Sequence, residues 1–248
     1  MKLDQRSVLI TGGGSGLGAD LARGFGEVGA QVVVVGRTRT PLESVAARLP
    51  GVRFVVADVT VEEDAERMFV EAGPVDIVIA NAGAAESAPL ARTSLDMWQS
   101  MLAVNLTGVF LTLRAGIRQM DGRPWGRLIT VASTAGVKGF PYVSAYTAAK
   151  HGAVGLTRAI AQEVAGSGVT ANALCPGYLD TEMTGRTIAN IVAATGRSHD
   201  QALLALTRGN PHGRLIEPAQ VTAAALWLCG PGSDPINGQA IVIAGGEL

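Results

Sequence analysis

The chain has 248 residues, of which 48% are hydrophobic and 17% charged, and its formal net charge is −1. This length and apolar content suffice for the core of one α/β domain, so we expect a single domain over 1–248. Without a long basic or acidic run, the chain offers no electrostatic match to nucleic acid or to an anionic membrane surface.

Three features of the sequence limit where the protein can be located and which metals it can bind. Residues 1–6 lack the apolar core of a signal peptide, and no apolar stretch approaches the length of a membrane span. Cys175 and Cys229 lie among apolar neighbours, which favours two buried free thiols in a reducing compartment, so we expect a cytoplasmic protein. We expect no metal site, because the three histidines have no metal-ligand spacing (His151, His199 and His212).

The first predicted elements form a nucleotide-binding unit. An apolar strand over 8–10 meets a glycine-rich turn, a helix follows over 19–28, and a β-branched strand spans 31–35. This order is the context of a dinucleotide fingerprint, in which glycines let the backbone approach a pyrophosphate at the start of the helix. The alternative is a glycine-rich surface turn. The candidate cofactor contacts in the turn are Gly12, Ser15, Gly16, Leu17 and Gly18.

The residues after the second strand favour NADP(H) over NAD(H). The acidic residue that usually bonds the ribose 2′-hydroxyl is absent, and Gly36-Arg37-Thr38-Arg39 stands in its place. An arginine and a hydroxyl suit a 2′-phosphate better than a free diol, so we expect Arg37 to contact the cofactor. The alternative is that Arg37 and Arg39 are ordinary solvated loop charges.

The alternation of strands and helices continues to the C-terminus. Further strands are predicted over 52–57, 75–80, 127–131, 169–174 and 240–243. Capping boxes beginning at Thr60 and Thr93 predict two helix starts, the second of a long helix reaching Met120. Strands that are apolar on both faces and separated by helices predict a Rossmann-like, doubly wound parallel sheet of seven strands with helices on both faces. Ligands of such sheets bind beyond the carboxyl ends of the strands.

Tyr146 and Lys150 are four residues apart in a helix predicted over 145–165, so they share one helix face. An ammonium beside a phenol favours the phenolate, and we expect Lys150 to bring the pKa of Tyr146 nearer to neutral pH. Ser133 follows a predicted strand thirteen residues upstream. Ser144 competes with Ser133 as the functional serine, but we expect Ser144 to cap the helix.

In this order and spacing, the motifs resemble those of the short-chain dehydrogenase/reductase family in its short, single-domain form. The resemblance covers nearly the whole chain and implies hydride transfer between a nicotinamide and a ketone or secondary alcohol. It implies that Tyr146 exchanges the proton and that Ser133 holds the substrate oxygen. Lys150 would lower the pKa of the tyrosine and bond the nicotinamide ribose.

The resemblance also implies roles for residues on other elements. Asn105 would join the catalytic group by holding a water that links Lys150 to solvent; the alternative is an exposed polar position on a long helix. Asp58 would contact the adenine; the alternative is a carboxylate that bonds nearby backbone amides. The remaining cofactor contacts that it implies are Val59, Asn81, Ala82, Gly83, Pro176, Gly177 and Thr181.

We expect the segment 180–216 to be a substrate lid of two short amphipathic helices. Sequences around Asn105, Lys150 and Pro176 are similar to ketoreductases of acyl thioesters and polyketides, which favours a β-ketoacyl thioester or similar small-molecule carbonyl compound. The lid arginines could meet a phosphate of such a substrate, but we interpret them as solvated charges (Arg186, Arg197, Arg208 and Arg214). Small residues on the Tyr146 helix and the pairing of this helix in similar proteins favour a homotetramer.

Three other functions compete with that of a reductase. A catalytically silent NAD(P)-binding regulator or scaffold is disfavoured by the complete set of Ser133, Tyr146 and Lys150. An alcohol or hydroxysteroid-type dehydrogenase that works in the oxidative direction stays open. A sugar-nucleotide epimerase or dehydratase is disfavoured by the chain length and by the glycine spacing.

Overall fold

Seven strands form one parallel sheet in the computed structural model, which describes residues 2–248. The strands are β1 (Ser7–Thr11), β2 (Gln31–Gly36), β3 (Arg53–Val56), β4 (Ile77–Ala80), β5 (Gly126–Val131), β6 (Val169–Pro176) and β7 (Ala240–Ile243). Their spatial order is β3-β2-β1-β4-β5-β6-β7, and every neighbouring pair is parallel. The doubly wound sheet predicted from the alternating pattern is therefore confirmed.

Helices cover both faces of the sheet. They are α1 (Gly16–Glu27), α2 (Arg39–Arg48), α3 (Glu62–Ala72), α4 (Leu95–Leu102), α5 (Gly108–Gln119), α6 (Ser144–Glu163), α7 (Glu182–Thr195), α8 (His199–Thr207) and α9 (Pro218–Leu228). Apolar side chains of α1, α2 and α9 form the core on one face, and those of α3, α5 and α6 form the core on the other. Because both faces are covered, strand β4 is buried along its whole length.

The order of the strands reverses between β1 and β4. β2 and β3 lie on one side of this pair and β5, β6 and β7 on the other. In such sheets the loops leaving the two central strands diverge at their carboxyl ends and open a crevice for a ligand. The turns that follow Thr11 and Ala80 flank this crevice.

One predicted long helix contains a local change of winding. Helices α4 and α5 are joined without a break by a π-helical turn over Ala103–Thr107, and Asn105 lies within it. π-helical turns are rare and are often found at functional positions. The sequence signal for this turn is an asparagine in the middle of an otherwise apolar helix, where asparagine is a poor helix former.

The expectation that no apolar stretch has the length of a membrane span was wrong. The continuous helix Leu95–Gln119 has 25 residues and a mean hydropathy of 1.4 over its most apolar window, of which 50% is buried in the domain. It is apolar on more than one side because it packs between α3 and α6. Length and composition alone do not distinguish such a core helix from a membrane span.

Three predicted helix caps differ from the structure. Val61, not Thr60, precedes α3, and the Thr60 hydroxyl instead donates to Asp58 at 2.7 Å. The cap of α4 is Ser94, one residue after the predicted Thr93, and its hydroxyl accepts from the backbone N–H of Met97. Ser144 does not cap α6, because it is the first residue inside that helix. Only Ser94 bonds a free N–H, because the cap positions of α3 and α6 are Val61 and Val143, which have no side-chain acceptor; residue type alone does not fix where a helix begins.

The segment between Leu179 and Ile216 leaves the sheet and returns to the same place. The backbone N–H of Asp180 donates to Ile216, and that of Ile216 donates to Tyr178, at 2.9 and 2.8 Å. Between these closing hydrogen bonds lie α7 and α8, the two short helices that the pattern predicted.

Candidate active site

The glycine-rich turn after β1 has no room for side chains at key positions. Gly12 has a φ of +66°, in the left-handed region, and a Cβ there would lie 2.9 Å from the Cα of Ala82. A Cβ on Gly18 would overlap the carbonyl oxygen of Gly12. Gly12 is therefore required by its φ and by the close approach of the turn after β4, and Gly18 by the close approach of α1 to the glycine-rich turn. This packing leaves the backbone open to a ligand at the start of α1.

The turn after β4 is tied to the turn after β1. The side-chain amide of Asn81 donates to the carbonyl oxygen of Thr11 at 2.9 Å. The Thr11 hydroxyl in turn accepts from the backbone N–H groups of Asn81 and Ala82, at 3.0 and 3.1 Å. These bonds fix the two sides of the crevice relative to each other.

A cavity of about 150 Å³ lies beside these turns, at the carboxyl ends of β1 to β4. Its lining includes six of the predicted cofactor contacts, namely Gly12, Arg37, Asp58, Val59, Ala82 and Gly83. It also includes Ala84 and Val104, which the sequence did not single out. Their only sequence signal is proximity to the Asn81 turn and to Asn105. The glycine cradle and this cavity together fit the phosphates and the adenosine of a dinucleotide.

Arg37 and Asp58 lie next to each other in the lining of this cavity. The guanidinium of Arg37 lies 3.8 Å from one carboxylate oxygen of Asp58, and its side chain is 69% exposed. The other oxygen of Asp58 accepts from the backbone N–H of Thr60 at 2.9 Å. Asp58 thus makes the local backbone bond given as its alternative role, while it also lines the predicted cofactor cavity.

The other predicted cofactor contacts lie along the same edge of the sheet. The backbone carbonyl of Ser15 accepts from the N–H of Ala19 at 3.2 Å, whereas the Ser15 hydroxyl caps no N–H of α1. Leu17 is buried in the first turn of that helix. A Cβ on Gly16 would lie 3.4 Å from the side chain of Thr181, so the start of α1 and the start of the lid are close. Pro176 ends β6, and the N–H of Gly177 donates to Ile243 at 3.0 Å.

Ser133, Tyr146 and Lys150 are brought together by β5 and α6. Ser133 lies just beyond β5, and its hydroxyl accepts from the N–H of Ala135 at 3.1 Å. The turn that follows Ser133 packs so tightly on α6 that a Cβ on Gly136 would lie 2.9 Å from the carbonyl oxygen of Lys150. The ammonium of Lys150 lies 5.7 Å from the ring centroid of Tyr146.

The expected shift in the pKa of Tyr146 was wrong in direction. Burial raises the pKa of the Tyr146 phenol, and its hydrogen bond with Ser133 lowers that pKa. Lys150 is 3% exposed, and burial lowers its pKa to about 8. The two groups thus share a site in which desolvation disfavours both charged forms and brings the pKa of the lysine toward neutral pH.

Lys150, Asn105 and Gly83 converge at one point. A Cβ on Gly83 would lie 3.0 Å from the amide oxygen of Asn105 and 3.7 Å from the Nζ of Lys150. Asn105 is 0% exposed, and its amide donates to the carbonyl oxygen of Ala84 at 2.9 Å. Asn105 is therefore not the exposed polar position given as its alternative; it ties the π-helical turn to the Asn81 turn.

Cys175 also belongs to this neighbourhood, which sequence reasoning missed. It is fully buried on β6, and a backbone hydrogen bond from Ser133 reaches its sulfur. Burial raises the pKa of this thiol, so it stays neutral beside the lysine. The prediction that Cys175 and Cys229 are buried free thiols is confirmed. The available signal was its place directly before Pro176-Gly177, at the end of a strand next to β5.

The fold and the site together define a nicotinamide-dependent oxidoreductase. A nucleotide crevice lies at the strand-order reversal, and a tyrosine, a serine and a buried lysine lie at the same edge of the sheet. A hydroxyl donor and a proton source that reach one oxygen are what reduction of a carbonyl to an alcohol requires. In such enzymes the cofactor carries the hydride, and the protein supplies orientation and the proton.

Comparison with known proteins agrees with this class. The family model for short chain dehydrogenases matches residues 6–191. D-beta-hydroxybutyrate dehydrogenase of Rhizobium meliloti is 36% identical over 97% of this chain and 98% of its own length. Galactitol 2-dehydrogenase (L-tagatose-forming) of Cereibacter sphaeroides is 34% identical over 99% of this chain and 96% of its own. A crystal structure of an actinorhodin polyketide ketoreductase variant with NADPH covers 100% of this chain and 99% of its own, with 31% identity and a TM-score of 0.94.

The chain belongs to the short-chain dehydrogenase/reductase family. It is an NAD(P)-dependent oxidoreductase that acts on a hydroxyl or keto group of a small molecule. The resemblance drawn from the motifs, including that to polyketide ketoreductases, is confirmed.

Proposed function

We propose that this chain reduces a ketone to a secondary alcohol with NADPH as its preferred cofactor. The ketone would belong to a β-ketoacyl thioester or a comparable carbonyl compound. The observation that carries the proposal is the convergence of Ser133, Tyr146 and Lys150 at one end of the nucleotide crevice. The similarity to a polyketide ketoreductase over the whole chain supports the substrate class.

Ser133 and Tyr146 handle the substrate oxygen in this proposal. The Ser133 hydroxyl donates to the carbonyl oxygen, and the Tyr146 phenol delivers the proton as negative charge develops on that oxygen. When bound, the nicotinamide supplies the hydride. Because burial raises the pKa of Tyr146, the phenol stays protonated at neutral pH and is ready to act as the acid.

Lys150 and Asn105 return a proton to Tyr146 after the phenol has given its own to the substrate. The Lys150 ammonium, 5.7 Å from the Tyr146 ring, favours the phenolate that remains after proton transfer, and it bonds the nicotinamide ribose. Asn105 holds a water that connects Lys150 to solvent. With a pKa of about 8, Lys150 exchanges protons readily near neutral pH.

Residues along the crevice hold the cofactor. The backbone of the Gly12–Gly18 turn, with Ser15, Gly16 and Leu17, meets the phosphates at the start of α1. Arg37 meets the 2′-phosphate, whereas Asp58 and Val59 meet the adenine. The remaining contacts, along the Asn81 turn and at the nicotinamide end, are Asn81, Ala82, Gly83, Pro176, Gly177 and Thr181.

The lid and the assembly complete the proposal. The single domain over 1–248 carries the segment 180–216 as a substrate lid whose two ends are pinned beside Tyr178. Exposed apolar side chains on the long helix, Leu95 at 68% and Phe110 at 40%, support pairing of copies into a homotetramer.

The experiment is to follow nicotinamide absorbance with the purified chain, NADPH or NADH, and a carbonyl panel. The panel holds acetoacetyl-CoA, diketones and cyclic ketones, and the matching alcohols are run with the oxidised cofactors. Oxidation of NADPH by acetoacetyl-CoA supports the full proposal. Turnover in the alcohol direction alone would favour a dehydrogenase. Cofactor binding without any turnover would favour a silent NAD(P)-binding regulator.

A further inference from the structure

The side chain of Glu247, close to the end of the chain, is largely buried and accepts no hydrogen bond, although its oxygens keep some contact with solvent. The side chain of Glu247 is 7% exposed, and the Nζ of Lys138 lies 3.8 Å from one of its oxygens. Within residues 2–248 its oxygens accept no hydrogen bond, and this ion pair is their polar contact. A buried carboxylate normally accepts several hydrogen bonds, because its desolvation is costly otherwise.

Two glycines make room for this carboxylate. A Cβ on Gly177 would lie 3.4 Å from one oxygen of Glu247, and a Cβ on Gly209 would lie 3.3 Å from the other. Neither glycine has a positive φ, so backbone conformation does not require glycine at these positions. The space beside the carboxylate is therefore shaped by the end of β6 on one side and by the end of the lid on the other.

The carboxylate lies at the substrate end of the site. Lys138 is five residues after Ser133 on the loop that leaves β5, and Gly177 directly follows the last residue of the neighbouring strand β6. Tyr178 connects the two regions electrostatically, because the Glu247 charge helps to raise the pKa of Tyr178 and Tyr178 helps to raise that of Tyr146. Glu247 therefore lies beside the loop that follows Ser133 and the end of β6, and it is not among the residues that line the 150 Å³ cavity.

We propose that Glu247 is a specificity-determining residue that accepts a hydrogen bond from a hydroxyl group on the substrate, close to the reacting carbonyl. The substrate class is then hydroxylated ketones and the corresponding diols or polyols. This inference rests on the proposed oxidoreductase function, since it assigns part of the substrate of the same site.

The charges around Glu247 select a neutral donor. A carboxylate accepts hydrogen bonds and donates none, so a group that satisfies it must carry an O–H or N–H. The nearby Lys138 ammonium disfavours a second cation, and the Glu247 charge disfavours a substrate carboxylate at the same place. A hydroxyl donates a hydrogen bond and carries no charge, so it satisfies both requirements. Its oxygen can also accept a hydrogen bond from Lys138.

The test compares ketones that differ by one hydroxyl. Values of kcat/KM are measured with NADPH for butan-2-one, 3-hydroxybutan-2-one and 4-hydroxybutan-2-one, in the wild type and in Glu247→Gln. We expect the wild type to prefer at least one hydroxyketone over butan-2-one, and the variant to lose about tenfold of that preference. Glu163→Gln, an exposed carboxylate at the end of α6, is the matched control and should keep the wild-type preference.

The preference ratio separates recognition from support of the lid. If Glu247 only held the lid in place, its loss would lower kcat/KM for all three ketones in proportion, and that result would overturn the inference. Equal use of all three ketones by the wild type would also overturn it. The conservative variant Glu247→Asp, which keeps the charged acceptor, should retain more of the preference than Glu247→Gln, whose amide oxygen is a neutral and weaker acceptor.

A failure of the proposed function gives a different result. If neither these ketones nor the carbonyl panel described above turn over with either cofactor, the proposed reductase function is wrong. Recognition by Glu247 is then measured by titrating butane-2,3-diol and butan-2-ol against the fluorescence of bound NADPH. Tighter binding of the diol that is lost in Glu247→Gln supports the inference, and equal binding of the two alcohols overturns it.

Discussion

The ammonium of Lys150 donates a hydrogen bond of 2.8 Å to the carbonyl oxygen of Val131, the last residue of β5. This bond holds the lysine against the sheet, two residues before Ser133, and explains why it is buried although it carries a charge. One backbone acceptor does not replace the hydration of an ammonium, so burial still lowers the pKa of Lys150 to about 8.

The buried lysine makes stability depend on pH in a defined direction. The lysine titrates near 10.5 in the unfolded chain and near 8 in the native state. Between these values the unfolded chain binds more protons, so this group makes the free energy of unfolding rise with pH. Between pH 8 and pH 10.5 we expect the free energy of unfolding of the wild type to rise by on the order of 3 kcal/mol relative to that of Lys150→Met. Urea unfolding of both proteins at pH 7.5 and pH 10 measures the difference.

The difference between the wild type and Lys150→Met cancels the contributions of other groups whose titration lowers the free energy of unfolding as the pH rises. Burial raises the pKa of Tyr146 and Tyr178, and their retained protons make stability fall at high pH in both proteins. A difference between the two proteins that stays constant with pH would contradict the lowered pKa of Lys150.

Tyr146→Phe should remove the proton donor and leave the crevice intact. We expect kcat for ketone reduction to fall at least about a hundredfold, because general acid catalysis contributes that much or more. NADPH affinity, measured by the fluorescence of the bound cofactor, should be nearly unchanged. Tyr142→Phe is the matched control, since Tyr142 is 64% exposed and lies four residues earlier. Retained turnover in Tyr146→Phe would exclude Tyr146 as the acid.

Hydrophobic patterns predicted the sheet well, because strands buried on both faces must be apolar throughout. Helix starts were less predictable: Thr60, Thr93 and Ser144 each have the residue type of a cap, but the cap positions are Val61, Ser94 and Val143, and only Ser94 bonds a free N–H. The predicted direction of the pKa shift of Tyr146 was wrong for a related reason. The spacing to Lys150 gives the neighbour's charge, whereas burial depends on the whole packed site.

Long-range contacts near the C-terminus were also beyond the sequence. Nothing in the local pattern around Glu247 indicates that it meets Lys138, which is more than one hundred residues away. The contact depends on β5, β6 and β7 being neighbours in the sheet, an order that the chain specifies only through tertiary packing. In contrast, motifs did single out Gly83 and Asn105 from the sequence, and the structure places them close together.

Arg37→Ala should lower the preference for NADPH. The Arg37 guanidinium lines the 150 Å³ cavity and is paired only loosely with Asp58, at 3.8 Å, so it is available for a 2′-phosphate. We expect KM for NADPH to rise about tenfold, the size of a lost charge-assisted bond, with a much smaller change for NADH. Arg39→Ala is the control, because Arg39 pairs with Glu43 at 3.2 Å. A wild type that prefers NADH would contradict the cofactor proposal.

Two glycines of the same helix should respond oppositely to alanine. A Cβ at Gly18 would overlap the backbone of Gly12, so Gly18→Ala must displace the glycine-rich turn; if this turn holds the phosphates as proposed, NADPH binding should weaken at least about tenfold. A Cβ at Gly26 would meet nothing within 4 Å, and Gly26→Ala should stabilise α1 by about 0.5–1 kcal/mol. Cofactor titration and thermal unfolding measure the two effects. Normal NADPH affinity in Gly18→Ala would contradict the role given to this turn.

Assembly into a tetramer can be tested at an exposed glycine of α6. Gly155 lies on the surface of this helix, and a Cβ there would meet nothing within 4 Å of the same chain. Gly155→Arg should therefore be tolerated by the isolated fold but should block close packing of α6 against another copy. We expect light scattering to give four times the chain mass of 25.4 kDa for the wild type and a lower mass for the variant. Gly185→Arg, at an equally open position on the lid helix α7, should keep the wild-type mass. A monomeric wild type would contradict the proposed tetramer. A tetrameric Gly155→Arg variant would instead place the interface on another surface.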